Sequence, residues 1–482
     1  MLERPHSTPD RFGTVEQAGV EFIPDGERES GPRNLFTVFF SANLAFGVIL
    51  FGWLPVTYGL SFVDAVSSSL VGITIGVLLV APLGLIGPRT GTSTPVSSGA
   101  HFGVTGRLVG SSLSLMFALA YAAVAVWISG DALVAVGHRL LGLSSGEGVR
   151  AVAYGLIVIE IVVVALYGHG TVVAMQRFVL PVVGAILLLG VFAFASGFRA
   201  VPEGTGHYLL GGFWSTWVFA VVMGIGGPLS YAVAMGDYCR RVSRRHGDRR
   251  TLLACGGGLF LGLSSTSVFG SFTATAFGGL TGSYVENLVT VAPTWYVLPI
   301  LVIALAGGLG QGVMNVYSSG LDLTAFIPRL RRVHTTLITS VAALALVYLG
   351  AVATAAVDSI TAMTVVLNAF TGPWVVIVLI GFLRTRHHGY DPADLQVFNE
   401  RRRGGRYWFT GGWNLRAIVP FFLGSGFGLL AVDSTLYRGP LAGLAGGIDL
   451  SVSGSLIIAA VGYLVAIRLW PEHTVIGQGV RT

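Results

Sequence analysis

Charge is what this sequence has least of. Only 11% of its 482 residues are Asp, Glu, Lys or Arg, less than half of the roughly 25% found in an ordinary soluble domain. Lysine is missing altogether, so all 29 basic residues are arginine. Cysteine is reduced to Cys239 and Cys255, too few for a disulfide framework, and both are expected as free thiols. Low-complexity tracts are absent. The first 33 residues hold no apolar core of the signal-peptide kind, so the first apolar helix is expected to direct insertion without cleavage. The GTG at 204–206 and the other glycine pairs lack phosphate-loop spacing, which leaves no ATPase. His101, His169, His387 and His388 have no acid or cysteine cluster at ligand spacing, so neither a metal nor another cofactor is expected. No nucleophile stands beside a base, which argues against an enzyme.

Apolar residues are what the chain does have, at 53%. They gather into runs of about 20, the length a helix needs to cross roughly 30 Å of hydrocarbon. Twelve such runs lie near 34–59, 65–87, 109–136, 151–169, 178–198, 213–236, 251–278, 294–327, 335–356, 360–383, 416–433 and 450–469. No room is left for a large soluble domain. The net charge of +6 therefore reads as a membrane-orienting bias and not as a nucleic-acid footprint. With both termini in the cytoplasm, Arg4, Arg11, Arg28, Arg33, Arg89, Arg107, Arg177, the cluster 240–250, Arg329, Arg331, Arg332, the segment 384–416, Arg468 and Arg481 share one side. Only Arg139, Arg150, Arg199 and Arg438 stay outside, which the positive-inside rule accepts if the number of spans is even.

The longest polar connection, 384–415, divides the chain into a cytoplasmic tail (1–33), a ten-helix core (34–383), that loop, a two-helix pair (416–469) and a second tail (470–482). The first helix of each group of five is interrupted, by SANLAFG at 41–47 and by GIGGP at 224–228. Matching breaks in two halves are the sequence sign of an inverted-repeat transporter. Gly224, Gly226, Gly227 and Pro228 disfavour a continuous helix, since glycine costs about 1 and proline about 3 kcal/mol in a helix interior. Unwound backbone in hydrocarbon survives only inside protein or along a wet cavity. The competing reading is that glycines merely let helices pack closely.

Polar residues at mid-membrane positions carry the rest. Gln311 and Asn315 are four apart and project from one helix face, as do Trp127 and Asp131. Unpaired, such groups are costly in lipid, so they face partner helices or a ligand. A tryptophan plate together with planar carboxamides suits a flat heterocycle such as a nucleobase. Glu160, alone in LIVIEIVVVAL, is either a proton carrier or a carboxyl hydrogen-bonded to another helix. Asp237 pairs with Arg240 or Arg241 or gates, and Asp322, on the Asn315 face, acts similarly.

The stretches GPRTGTSTPVSSGAHFGVTGR, SYAVAMGDYCRR, NVYSSGLDL, GGRYWFTGGWN and GPLAGLAGGIDLS resemble the nucleobase-cation symporter family, in its purine-cytosine permease branch. That resemblance implies an all-α, twelve-helix membrane protein with a 5+5 inverted-repeat core. It further implies import of a nucleobase or related compound, such as cytosine, a purine, uracil, allantoin or a hydantoin, by cation symport across the cell membrane. The family's substrate positions correspond to Ser41, Asn43 and Phe46 in broken helix 1, Trp127 and Asp131 in helix 3, Gly224, Gly226 and Gly227 in broken helix 6, and Gln311 with Asn315 in helix 8. Asp131 replaces the family's amide, which makes it a protonation candidate beside Glu160. Asp237, Arg240 and Asp322 stand as gating residues. Sodium-coupled relatives carry hydroxyls where this chain has Leu309 and Gly310. Hard cations need oxygen ligands, so proton coupling is the expectation. A same-fold symporter for an amino acid or vitamin is the alternative, and the oligomeric state is left open.

Overall fold

The computed structural model describes residues 20–278, 282–327, 329–353, 356–385, 389–433, 437–446 and 448–471. Residues 1–19 and 472–482, most of the two tails, and the His387 and His388 pair fall outside them. Among the described residues there is no strand, only helices: α1 (Pro32–Ser41), α2 (Phe46–Thr57), α3 (Phe62–Val80), α4 (Leu108–Leu141), α5 (Glu147–Leu166), α6 (Gly168–Phe194), α7 (Phe213–Ala232) and α8 (Met235–Cys239) come first. They are followed by α9 (Asp248–Ala274), α10 (Tyr284–Val291), α11 (Thr294–Val302), α12 (Gly308–Phe326), α13 (Arg332–Ala353), α14 (Ala356–Thr385), α15 (Leu415–Ala431) and α16 (Ser451–Leu469). A π-helical turn, Ile303–Gly307, joins α11 to α12.

Ten of these stretches are long and apolar enough to cross a membrane, and α1 with α2 forms one more span bent by 55°. The shorter apolar α15 completes the set, so all twelve expected positions are helical. The outside of the bundle is apolar, with Phe192 at 77% and Leu78 at 70% exposure, the surface that lipid covers and water would not tolerate. Polar side chains turn inward: Ser41, Asn43, Gln176, Asp237, Asp322 and Asn368 have no exposed surface.

Helix 1 is broken as expected. α1 ends at Ser41 and α2 starts at Phe46, and the intervening backbone is clasped by glycines. A Cβ on Gly307 would lie 2.4 Å from Leu44 O, and one on Gly262 2.7 Å from Phe40 O. Only residues without side chains let two helices press on the unwound turn. Asn43 completes it, because its Nδ2 donates to Phe39 O at 2.7 Å and supplies a partner for a carbonyl at the end of α1.

The second break is not where GIGGP placed it. α7 runs unbroken through Gly224–Pro228 and ends at Ala232, and the chain turns at Val233 and Ala234, with Ala234 outside helical backbone angles, before α8. The glycines serve packing instead. A Cβ on Gly72 of α3 would meet Val221 O at 2.3 Å, one on Gly224 would meet Ser69 O at 3.0 Å, and one on Gly226 would meet Asn368 Nδ2 at 2.4 Å. Helix geometry is retained because close backbone contact offsets the low propensity of glycine, and a proline removes only one backbone hydrogen bond.

Candidate functional site

A cavity of about 640 Å³, its open mouth included, lies beside both breaks. Asn43 comes from the first break and Ala234 from the second, with Val48 and Phe51 from α2. α4 contributes Ser114, Phe117, Ala118 and Tyr121; α7 and α8 contribute Gly227, Ser230, Tyr231 and Tyr238. Leu263 of α9 and Gln311, Met314, Asn315 and Ser318 of α12 close the ring.

Its walls are aromatic. Phe117 and Tyr121, four residues apart on α4, lie with ring centroids 6.0 Å apart and planes within 7°. Phe51 stands 6.2 Å from Tyr121. Tyr121 is hydrogen-bonded to Thr364 of α14, and Tyr231 donates to Asn43 Oδ1 at 3.1 Å. Tyr238 donates to Met314 O at 2.9 Å and lies 3.4 Å from Ser318 Oγ.

The polar equipment comes from α12. Gln311 Oε1 is buried without a hydrogen-bond partner among the described residues. Gly47 makes room for it, since a Cβ there would fall 2.6 Å from that oxygen. Asn315, half-buried one turn on, lines the same space. A carboxamide presents one acceptor and two donors in a plane, and the pair turns these toward the cavity between stacked rings.

The remaining expected site residues divide. Asn43 is at the cavity, but both ends of its amide are engaged in holding the break. Gly227 lines it, whereas Gly224 and Gly226 face α3 and α14. Ser41 lies behind it: its Oγ is 2.6 Å from Gln176 Oε1 of α6, and Gln176 Nε2 donates to Gly310 O at 2.9 Å. The gap between the end of α1 and α12 is thus bridged by one neutral side chain. Phe46 packs on Tyr284, 6.3 Å between centroids, in a separate core.

Trp127 and Asp131 do not line the cavity. Trp127 abuts Gly350 of α13. Asp131 accepts from Tyr154 of α5 at 2.7 Å, near the Arg150–Glu286 ion pair. α4 has 34 residues, about 51 Å at 1.5 Å per residue, so it offers more than one depth for an aromatic with a partner four residues on. The pair at the cavity is Phe117 and Tyr121, whose spacing was visible but whose depth was not. Glu160 is half-buried on α5 and lines no part of the cavity.

The GTSTPVSSGAHFG segment seals the structure below the second break. Thr94 N–H donates to Asp237 Oδ1 at 3.2 Å, and Gly236 N–H donates to Thr94 Oγ1 at 2.6 Å. Arg240, fully buried, donates to Glu21 O at 3.4 Å. His101 is buried against Gly381, its Nε2 3.2 Å from Tyr390 Oη, and burial pushes the imidazole down to about 4. Burial likewise brings Arg107 down to about 9; its Nη2 donates to Asn399 Oδ1 at 2.5 Å and its guanidinium sits 4.6 Å from the Phe398 ring centre. Cys239 and Cys255 are unbridged, with sulfurs 3.6 Å apart.

Comparison with known proteins agrees with this architecture. Residues 22–453 match the family described as permease for cytosine/purines, uracil, thiamine, allantoin. The chain is 24% identical over 469 residues to the putative purine-cytosine permease YxlA of Bacillus subtilis, covering 94% of this chain and 96% of that one. A 182-residue stretch, 36% of this chain and 30% of the relative, is 28% identical to the vitamin B6 transporter TPN1 of Saccharomyces cerevisiae. In fold it is similar to Mhp1, a nucleobase-cation-symport-1 family transporter, in a closed conformation with bromovinylhydantoin bound: TM-score 0.75, 19% identity, 94% of each chain. A match over most of the length, together with a broken first helix and an apolar exterior, means that this chain belongs to that permease family and is a multi-pass membrane transporter and not an enzyme.

Proposed function

We propose that the protein imports a flat nucleobase-like heterocycle by proton symport and alternating access, with both termini in the cytoplasm. One observation carries the reading: an unpartnered Gln311 Oε1 and the Asn315 carboxamide share a cavity with the parallel rings of Phe117 and Tyr121. The rings offer an aromatic wall to one face of the substrate and the carboxamides take its hydrogen-bonding edge. Asn43 and Gly227 shape the cavity at the two breaks.

Proton coupling is supported by Gln176. Helix ends and hydroxyls at a break are where a symporter gathers oxygens around a metal cation. Here the carboxamide of Gln176 already links Ser41 to Gly310 O. A single proton suffices energetically, because one charge moving through 100 mV supplies about 2.3 kcal/mol. The likeness to a vitamin B6 transporter over part of the chain supports a second reading, a pyridine-type vitamin in the same aromatic slot.

The test is uptake of labelled cytosine, adenine, hypoxanthine, uracil, allantoin and pyridoxine by cells without endogenous permeases. At least one base is expected to accumulate, sensitive to a protonophore and indifferent to sodium. Asn315→Ala is expected to weaken it by about one to two powers of ten in affinity, since leaving a substrate's polar edge unpaired costs about 1–3 kcal/mol. Pyridoxine alone accumulating favours the second reading; accumulation of none sinks both.

A further inference from the structure

We propose that Asp322 carries the coupling proton, from a buried position beneath the cavity, one turn beyond its lining on α12. This rests on the proton-symport reading and assigns the proton a residue. Gln311, Asn315, Ser318 and Asp322 follow one another at spacings of four, three and four, which places them on one stripe of α12. The first three line the cavity. Asp322 continues the stripe one turn further, with no exposed surface, and neither carboxyl oxygen has a hydrogen-bond partner among the described residues. Nothing in a packing role requires a carboxyl there. An apolar side chain of the same size would avoid the burial of two orphan oxygens.

Its neighbours fit a proton site. Ser114 of α4 lines the cavity beside Asp322, its own Oγ likewise without a hydrogen-bond partner among the described residues, and Asp237 is a second acid near it. Asp237 is engaged by the Thr94 N–H, whereas both Asp322 oxygens remain open to a proton. Around them stand Tyr238 of α8, Tyr317 of α12 and His169 of α6, whose ring centre is 6.2 Å from Tyr238 and 6.4 Å from Tyr317. Arg240 follows α8 and is directed to Glu21 O. Thr335 and Thr336 at the start of α13, and Thr94 and Ser97 beneath α8, add only hydroxyls to this floor.

The step is a proton transfer with nothing oxidised. A hydronium in the cavity becomes water as the O–H bond of Asp322 forms. That bond breaks again, to water on the opposite side, when the floor opens between α8 and α12. The loop carrying Thr94 is joined to Asp237 by one hydrogen bond, which ties that loop to the floor beside Asp322. Asp131 and Glu160 lack such a position: Asp131 is engaged by the Tyr154 hydroxyl, and Glu160 is on α5, which contributes nothing to the cavity lining.

The experiment uses the full chain in liposomes with an acidic exterior, and as probe whichever of cytosine, hypoxanthine, uracil or allantoin the wild type accumulates. Asp322→Asn is expected to bind the base within about threefold of wild type and to exchange labelled for unlabelled base. Protonophore-sensitive accumulation is expected to fall at least tenfold, and Asp322→Glu to recover part of it. Infrared spectra taken across a pH titration, which need no substrate, are expected to lose a protonated-carboxyl band in Asp322→Asn. Wild-type accumulation and protonophore sensitivity in Asp322→Asn, or an unchanged band, overturns the proposal. If the wild type takes up none of the bases, the nucleobase reading fails separately, and the band decides on Asp322 alone.

Discussion

The two interrupted helices make an instructive pair. SANLAFG contains one glycine and unwinds where it stands; GIGGP contains three glycines and a proline and remains helical, the chain breaking only at Val233 and Ala234. Composition pointed the other way. Unwinding is decided by what surrounds the backbone: Gly262, Gly307 and the Asn43 amide hold the first break, and Thr94 with Asp237 holds the second. Gly224 and Gly226 are used up in contacts with α3 and α14, and Gly227 faces Leu263 of α9 at the cavity. The first break is secured by helices, the second by a loop.

The contrast is broken most severely at the α3–α7 contact. Gly72→Leu would drive a side chain into Val221 O, 2.3 Å from the new Cβ. Overpacking costs about 1–3 kcal/mol even where neighbours yield, and backbone yields least. No monodisperse protein is expected on size-exclusion chromatography. A folded, active Gly72→Leu would return GIGGP to an unwinding role.

Acid should separate the two breaks. His101, in the loop under the second, titrates near 6.5 when unfolded and about 4 when buried. Between those values the unfolded chain binds the extra proton, so stability is intact above pH 6.5 and falls as the pH drops to 4. At 1.36 kcal/mol per pH unit the loss is up to about 3 kcal/mol. Thermal midpoints of wild type and His101→Gln across that range measure it; the variant's slope is expected to be shallower. Equal slopes would uncouple the loop from stability.

The smallest effect sharpens the comparison at the first break. Asn43→Ala leaves Phe39 O and the Tyr231 hydroxyl without this partner, which costs about 1–3 kcal/mol. A lowered thermal midpoint, with uptake reduced more than in Gly227→Ala, is the expected outcome. Indifference would mean that the glycine clasp alone holds the turn.

Legibility followed physical scale. The twelve spans could be read because each must supply about 20 apolar residues to hydrocarbon, and the Gln311–Asn315 face because helical spacing puts i and i+4 together. Trp127 and Asp131 have that same spacing, yet Phe117 and Tyr121 line the cavity. Periodicity gives direction around a helix but not depth along one of 34 residues. Gln176 carried no signal at all, since a lone glutamine shows its use only beside Ser41 and Gly310 O.

Helix number, an apolar exterior and the inward polar stripe of α12 were settled by the chain alone, because the bilayer imposes length and hydropathy residue by residue. Which backbone unwinds, which aromatic pair meets the carboxamides and where an orphan carboxyl comes to rest were settled by packing. Those outcomes depend on distances of 2–4 Å between residues far apart in sequence, which no local pattern encodes.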